Sequence, residues 1–225
     1  MRKLLLYSFL FLLVYICVSC KDHYQIVGVS DNTMLDGSRI FLKKEVNNQW
    51  VVVDSCEVLH GKFKMKGVLD SVFVTSLFVD DVAVTPFVLE EGKTEVLISR
   101  RKITVEGTEL NDELQLFIDK HEMICDRIEE FFAYESRLVL EGYAFDEAAR
   151  QIQDSINGVV RKMELYGEKF VKEHYDTPLG PFVFNLLCNI LPDAQSSPSI
   201  ERIIKDAPDA FRCDPYVREF IVKGF

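Results

Sequence analysis

The sequence predicts an α+β fold, with an N-terminal antiparallel β-sandwich or partial barrel followed by a long helical hairpin and short C-terminal helices. Three observations lead there. Residues 24–107 are short β-rich runs punctuated by Gly, Asn and Asp, the pattern of strands joined by tight turns. At Gly107-Thr108 the apolar period lengthens from two residues to three or four, as it does where strands give way to helices. Beyond that point two long apolar stripes are separated by a short break at Gly142, which favours an antiparallel helix pair.

Ahead of the first strand, Arg2 and Lys3 lead into an apolar run from Leu4 to Val18 broken only by Ser8, and the character changes at once after Cys20 to Lys21-Asp22-His23. A basic start, a short apolar stretch and small residues before a cut site define a secretory signal peptide. The run is at or below the ~17 residues that a spanning helix needs, and it lacks the polar face of a surface helix. Val18-Ser19-Cys20 resembles the lipobox of bacterial lipoproteins, with Cys17 where leucine is usual. The resemblance implies removal of residues 1–19, lipid attached to Cys20, and a cell-envelope location at the outer membrane, on its periplasmic or surface face. Lipid chains contribute about 0.8 kcal/mol per buried methylene, so two or three of them anchor without a spanning helix.

The strands follow in order. Tyr24–Val29 is β-rich; Asp36-Gly37 turns the chain into Arg39–Val46; Asn47-Asn48 is a hairpin signal before Gln49–Asp54. After His60-Gly61, an exposed turn, Lys62-Phe63-Lys64-Met65-Lys66 alternates strictly, placing Phe63 and Met65 inward and the lysines outward. Ser71–Val79, Val82–Glu90, Thr94–Ser99 and Lys102–Glu106 complete the set, with turns at Asp80-Asp81 and Glu91-Gly92. The helical region begins at residue 108. Asn111 is the expected N-cap of the first helix, whose stripe reads Leu114, Phe117, Ile118, His121, Cys125, Ile128 and Phe132. The second helix spans Phe145 to His174, with Phe145, Ala148, Ile152, Met163 and Phe170 on its apolar face. Pro181–Leu191 is a nearly all-apolar helix for a core or a partner. Pro192–Pro198 is a linker, and Ile200–Lys205 and Tyr216–Val222 are two further short helices.

Composition excludes several classes. Without residues 1–19 the chain keeps 24 basic residues against 36 acidic ones, a net charge of −12. So acidic a chain, with no basic stripe, is a poor partner for nucleic acid. The apolar fraction of 48% supports a real core and argues against disorder.

The residues Gly28, Asp36-Gly37, Val53-Asp54-Ser55, Gly61-Lys62-Phe63, Gly67, Phe87 to Gly92, Val105 to Thr108, Asn111, Leu114, Gln115 and Phe117 resemble, in order and spacing, domain of unknown function 4369. In envelope lipoproteins that module commonly precedes a helical segment and a thioredoxin-like thiol–disulfide oxidoreductase domain. The tryptophan and paired cysteines of such a domain do not occur in these 225 residues; Trp50 falls on a strand. The resemblance therefore implies no catalytic residue here.

The remaining candidates are weak. Cys188 and Cys213 are the pair a disulfide would bridge in an oxidising envelope, with two buried thiols as the alternative. His121, Cys125 and Glu129 share a helix face, but half a site on one helix fixes no metal geometry. Asp54-Ser55 lacks the glycine-flanked turn of a hydrolase nucleophile, and Glu90-Glu91 reads as a solvated turn. No cofactor motif is present. The expected role is non-catalytic: a lipid-anchored module that binds an envelope protein or a small ligand. The alternative is an accessory of an envelope thiol–disulfide oxidoreductase system.

Overall fold

The computed structural model describes residues 22–31, 33–46, 49–191 and 194–224. The expected signal segment with Cys20, the Asn47-Asn48 hairpin signal and Pro192 of the expected linker lie outside the described residues. The described residues form eight strands, β1 (Asp22–Ser30), β2 (Arg39–Val46), β3 (Gln49–Glu57), β4 (Lys62–Leu69), β5 (Phe73–Val79), β6 (Val82–Leu89), β7 (Gly92–Ile98) and β8 (Ile103–Glu106), and burial alternates most clearly along β1, β4 and β7. One sheet is ordered β4-β1-β7-β8 and the other β3-β2-β5-β6. Neither closes on itself, so the fold is a sandwich with open edges and not a barrel.

The expectation of a wholly antiparallel domain needs one correction. β1 and β7 pair in parallel, from Tyr24 opposite Gly92 to Ser30 opposite Ile98. The chain reaches β7 only after passing through the second sheet, so no hairpin dictates its direction. On its other side β1 pairs antiparallel with β4. Inward residues such as Ile26, Ile40, Leu42, Phe63, Leu77, Phe87 and Val96 form the sandwich core. Burying each is worth roughly 1.5–3 kcal/mol. The Tyr24 hydroxyl donates to Asp54 Oδ2 at 2.7 Å, tying the first sheet to β3 of the second. Burial, reinforced by that bond, raises the phenol above its ordinary value.

The helices are α1 (Glu109–Leu140), α2 (Phe145–Glu173), α3 (Leu179–Ile190), α4 (Pro198–Asp206), α5 (Asp209–Arg212) and α6 (Pro215–Gly224). α1 ends at Gly142 (φ +102°), where the N–H groups of Gly142 and Tyr143 return to the carbonyls of Val139 and Leu138 at 3.1 Å. This is the Schellman arrangement that favours glycine. Among the described residues no helix is long and apolar enough to cross a membrane.

Two further expectations change. The N-cap of α1 is Thr108, not Asn111. The buried face of α1 is Asn111, Leu114, Gln115, Phe117, Ile124 and Leu138, while Cys125 is exposed. The stripe thins beyond Ile124 because two helices alone cannot enclose each other. Phe132 is 52% exposed and Phe145 71%. The helical core gathers Phe117, Met163, Phe170, Phe184, Leu187 and Phe211, and takes in Val88 from β6. Alternation along β6 sends Phe87 into the sandwich core and Val88 into the helical one.

Candidate binding cleft

Helix α1 joins the two layers through polar side chains. Asn111, buried in its first turn, accepts from the Val88 N–H at 2.9 Å and donates to the Val88 carbonyl at 2.8 Å. Its amide thus stands in for the next strand beside β6, an edge of one sheet. Gln115, one turn on, accepts from the Val105 N–H on β8 at 2.8 Å and donates to Asp119 at 2.7 Å. β8 is an edge of the other sheet. Helix α1 thus caps each edge at one residue, Val88 on β6 and Val105 on β8. Glu90 contributes as well: its Oε1 accepts the Asn111 N–H at 3.0 Å. The sequence reading of Glu90 as a solvated turn residue is corrected accordingly. It satisfies one of the free N–H groups at the start of α1.

This docking leaves a cleft of about 560 Å³ between β6, the β7–β8 turn, α1 and α3. Pro86, Ile103, Phe117, Ile118, Phe182 and Leu186 supply an apolar lining. Arg100, Arg101 and Lys102 stand at the rim on the β7–β8 turn, with His121 and Glu122 on α1. Ser99 shapes that turn by accepting from the Lys102 N–H at 3.0 Å and donating to the Lys102 carbonyl at 2.7 Å. Lys102 is engaged with Asp119 at 2.8 Å, and the bond raises its ammonium above the ordinary value. Burial pushes Asp119 up, but the hydrogen bonds from Lys102 and Gln115 outweigh it and hold the carboxyl below its usual range. Among the described residues neither Arg100 nor Arg101 forms an ion pair. The volume is in the range of small-molecule sites, and the lining divides about evenly between apolar and polar side chains. A second groove of about 540 Å³ lies between the other sheet and the C-terminal helices, lined by Trp50, Phe73, Pro181, Phe182 and Tyr216 among others. Phe182 borders both.

The residues singled out from sequence do not converge. Cys56, Cys125, Cys188 and Cys213 are all free thiols. Cys188 is half-buried on α3, Cys213 exposed after α5. His121 lies 3.8 Å from the Cys125 sulfur, and among the described residues no group of three His, Cys, Asp or Glu is placed to hold a metal ion. Asp54 is bound to Tyr24 and to the Ser55 N–H at 2.7 Å. His60 sits in its exposed turn with φ +52°. His174, which the sequence places at the end of the second helix and apart from the other histidines, is buried against Phe170 and bonds Glu113 and the Phe170 carbonyl, each at 2.8 Å. Its only sequence signal was a histidine closing an amphipathic helix.

The β1–β4 ladder carries a reciprocal motif. Tyr24 lies opposite Gly67 and Phe63 opposite Gly28. A Cβ on Gly28 would fall 1.9 Å from the Phe63 ring, and one on Gly67 2.5 Å from the Tyr24 hydroxyl. Each aromatic ring occupies the space its partner glycine leaves. These glycines, the Gly92 turn and the Asn111 clamp lie within one span. Residues 24–114 match the family model described as Domain of unknown function (DUF4369). The DUF4369 span runs from Tyr24 on β1 to Leu114 on α1, so it includes both sheets and the Asn111 clamp but stops short of Gln115 and most of the cleft's helical wall. A comparison with curated proteins finds no match.

Proposed function

We propose that the chain is an exported envelope lipoprotein, held by lipid on Cys20, whose folded body binds a small ligand and performs no chemistry on it. The observation that carries the binding reading is the cleft of about 560 Å³ with an apolar lining and the two unpaired guanidinium groups of Arg100 and Arg101 at its mouth. In a strongly acidic chain, that combination suits an apolar body bearing one anionic group. β1 starts at Asp22, two residues past Cys20, so a lipidated body would stand close against the membrane surface.

The thiols weigh against the redox alternative. A reactive cysteine needs an electropositive setting. Burial pushes the Cys188 thiol up to about 12. Burial also raises Cys125, and Asp126, Glu129 and Glu122 raise it further.

Two experiments test the proposal on the full chain expressed in a bacterial envelope. Cys20→Ala should release the chain from the membrane fraction and abolish labelling by a radioactive fatty acid; retention of both would refute the anchor. Titration of the purified protein with dodecanoate should show saturable binding, weakened at least about tenfold by Arg100→Glu together with Arg101→Glu at unchanged thermal stability. Absent binding, or binding indifferent to the two arginines, would refute the cleft assignment.

A further inference from the structure

The two sheets of the sandwich have edge strands β4 and β8, β3 and β6, and three of these are protected. β6 and β8 are capped by Asn111 and Gln115 of α1. β4 presents Lys62, Lys64 and Lys66 outward, the charged residues that discourage strand addition. β3 has neither device. Among the described residues it pairs with β2 alone, none of its residues is buried, and Gln49-Trp50-Val51-Val52-Val53 contains no charge and no proline. Trp50, Val51 and Val52 are each about half exposed, at 48%, 50% and 51%.

We infer that β3 is a self-association edge, pairing antiparallel with β3 of a second copy around a twofold axis at Val51. Three observations select a second copy. A strand edge is self-complementary under a twofold rotation, because the same donors and acceptors meet in reverse order. The stretch Gln49–Val52 keeps a regular register on β2, and the irregularity in the ladder falls after it, where Lys43 pairs with Val52 and Leu42 with Asp54. An axis at Val51 then sets Trp50 of each copy opposite Val52 of the other, an aromatic to β-branched pair of the stabilising kind. Finally, the chain carries a net charge of −10, so copies repel one another over most of their surface. The neutral stretch 49–53 is a place where they meet without that cost.

The axis places Val51 against itself, which gives the test. In the full chain with Cys125→Ser and Cys213→Ser, Val51→Cys should be joined to its own copy by a short bifunctional thiol reagent, giving a species of twice the mass. Leu116→Cys, exposed on α1, should not. Separately, Val51→Lys sets two ammonium groups face to face and should convert the purified protein from dimer to monomer in sedimentation, whereas Val51→Thr, β-branched and uncharged, should leave it dimeric. Circular dichroism melting confirms that each variant is folded. A monomeric parent protein, a dimer indifferent to Val51→Lys, or cross-linking of Val51→Cys only to a different protein would each overturn the inference.

Discussion

Asn111, on the first turn of α1, pairs with both backbone groups of Val88 on β6, accepting at 2.9 Å and donating at 2.8 Å. The same amide donates to Thr108 at 2.9 Å. Val88 belongs to the helical core and its neighbour Phe87 to the sandwich core, so this pairing sits where the two cores meet. Removing the amide strands a buried N–H and a buried carbonyl, each costing roughly 1–3 kcal/mol. Asn111→Ala should therefore destabilise the protein by about 2–6 kcal/mol in urea unfolding. Asn111→Asp should also destabilise, since its carboxylate can accept but not donate. A loss below about 0.5 kcal/mol for the alanine variant would mean that water replaces the amide at this site.

The Gly28–Phe63 pair predicts an opposite pair of glycine effects. Gly28→Ala must displace a ring that would lie 1.9 Å from the new methyl, and overpacking of this kind costs about 1–3 kcal/mol. Gly158, in the middle of α2, has nothing within 4 Å of a built Cβ. Gly158→Ala should stabilise by roughly 0.5–1 kcal/mol through helix propensity alone. Thermal unfolding of both variants checks the contrast; equal shifts would refute the aromatic-over-glycine account.

Glu168 gives a pH dependence. Arg202 of α4 grips its carboxylate with Nε at 2.9 Å and Nη2 at 2.6 Å, and Lys172 adds a contact at 3.1 Å. The Arg202 bonds, stronger than the opposing effect of burial, lower Glu168 to about 2. In the unfolded chain it returns to about 4.3. As pH falls, the unfolded state therefore takes up the proton first. The stabilisation is complete above about pH 5 and is lost as pH falls towards 2. Because Arg202 is half exposed, the contribution is on the order of 1–2 kcal/mol. Glu168→Gln should be less stable at neutral pH and show a flatter acid limb. Parallel acid limbs for the two proteins would remove Glu168 from the explanation.

Local patterns were legible and long-range ones were not. Lys62 to Lys66 announced β4 by alternation, and Phe63 and Met65 are buried as that alternation requires. Asn111 was legible as a helix-start residue, because asparagine has a local use there, and as a position of the family pattern, but not as a strand clamp. Its actual partner, Val88, lies 23 residues away. Gln115 stands in the family pattern, yet no local rule assigns a glutamine to the Val105 N–H. Periodicity carries the apolar stripe of α1 on through Cys125 and Phe132, because it does not say where neighbouring elements end. The cleft was invisible for the same reason: its walls come from β6, the β7–β8 turn, α1 and α3, and no local pattern in any of these segments says that they meet.

The four described cysteines differ enough in setting to predict an order of reaction. Cys213 is exposed. Cys125 is exposed too, but partial burial of the sulfur and the charges of Asp126, Glu129 and Glu122 disfavour its thiolate. Cys56 is half-buried and raised by burial. Cys188 is pushed up to about 12 by burial alone. Since the thiolate is the reacting species, iodoacetamide near pH 8 should label Cys213 first and Cys125 more slowly, with Cys56 and Cys188 modified only on unfolding. Replacing Asp126 and Glu129 with their amides should accelerate Cys125 without changing Cys213. Mass spectrometry of protein taken from an oxidising envelope, alkylated before and after mild reduction, reads all four positions together. If Cys188 labels as fast as Cys213 in the native state, α3 does not pack as described. If a Cys188–Cys213 bridge opens at mild potential, the redox alternative replaces the binding reading, and that pair becomes the site to mutate.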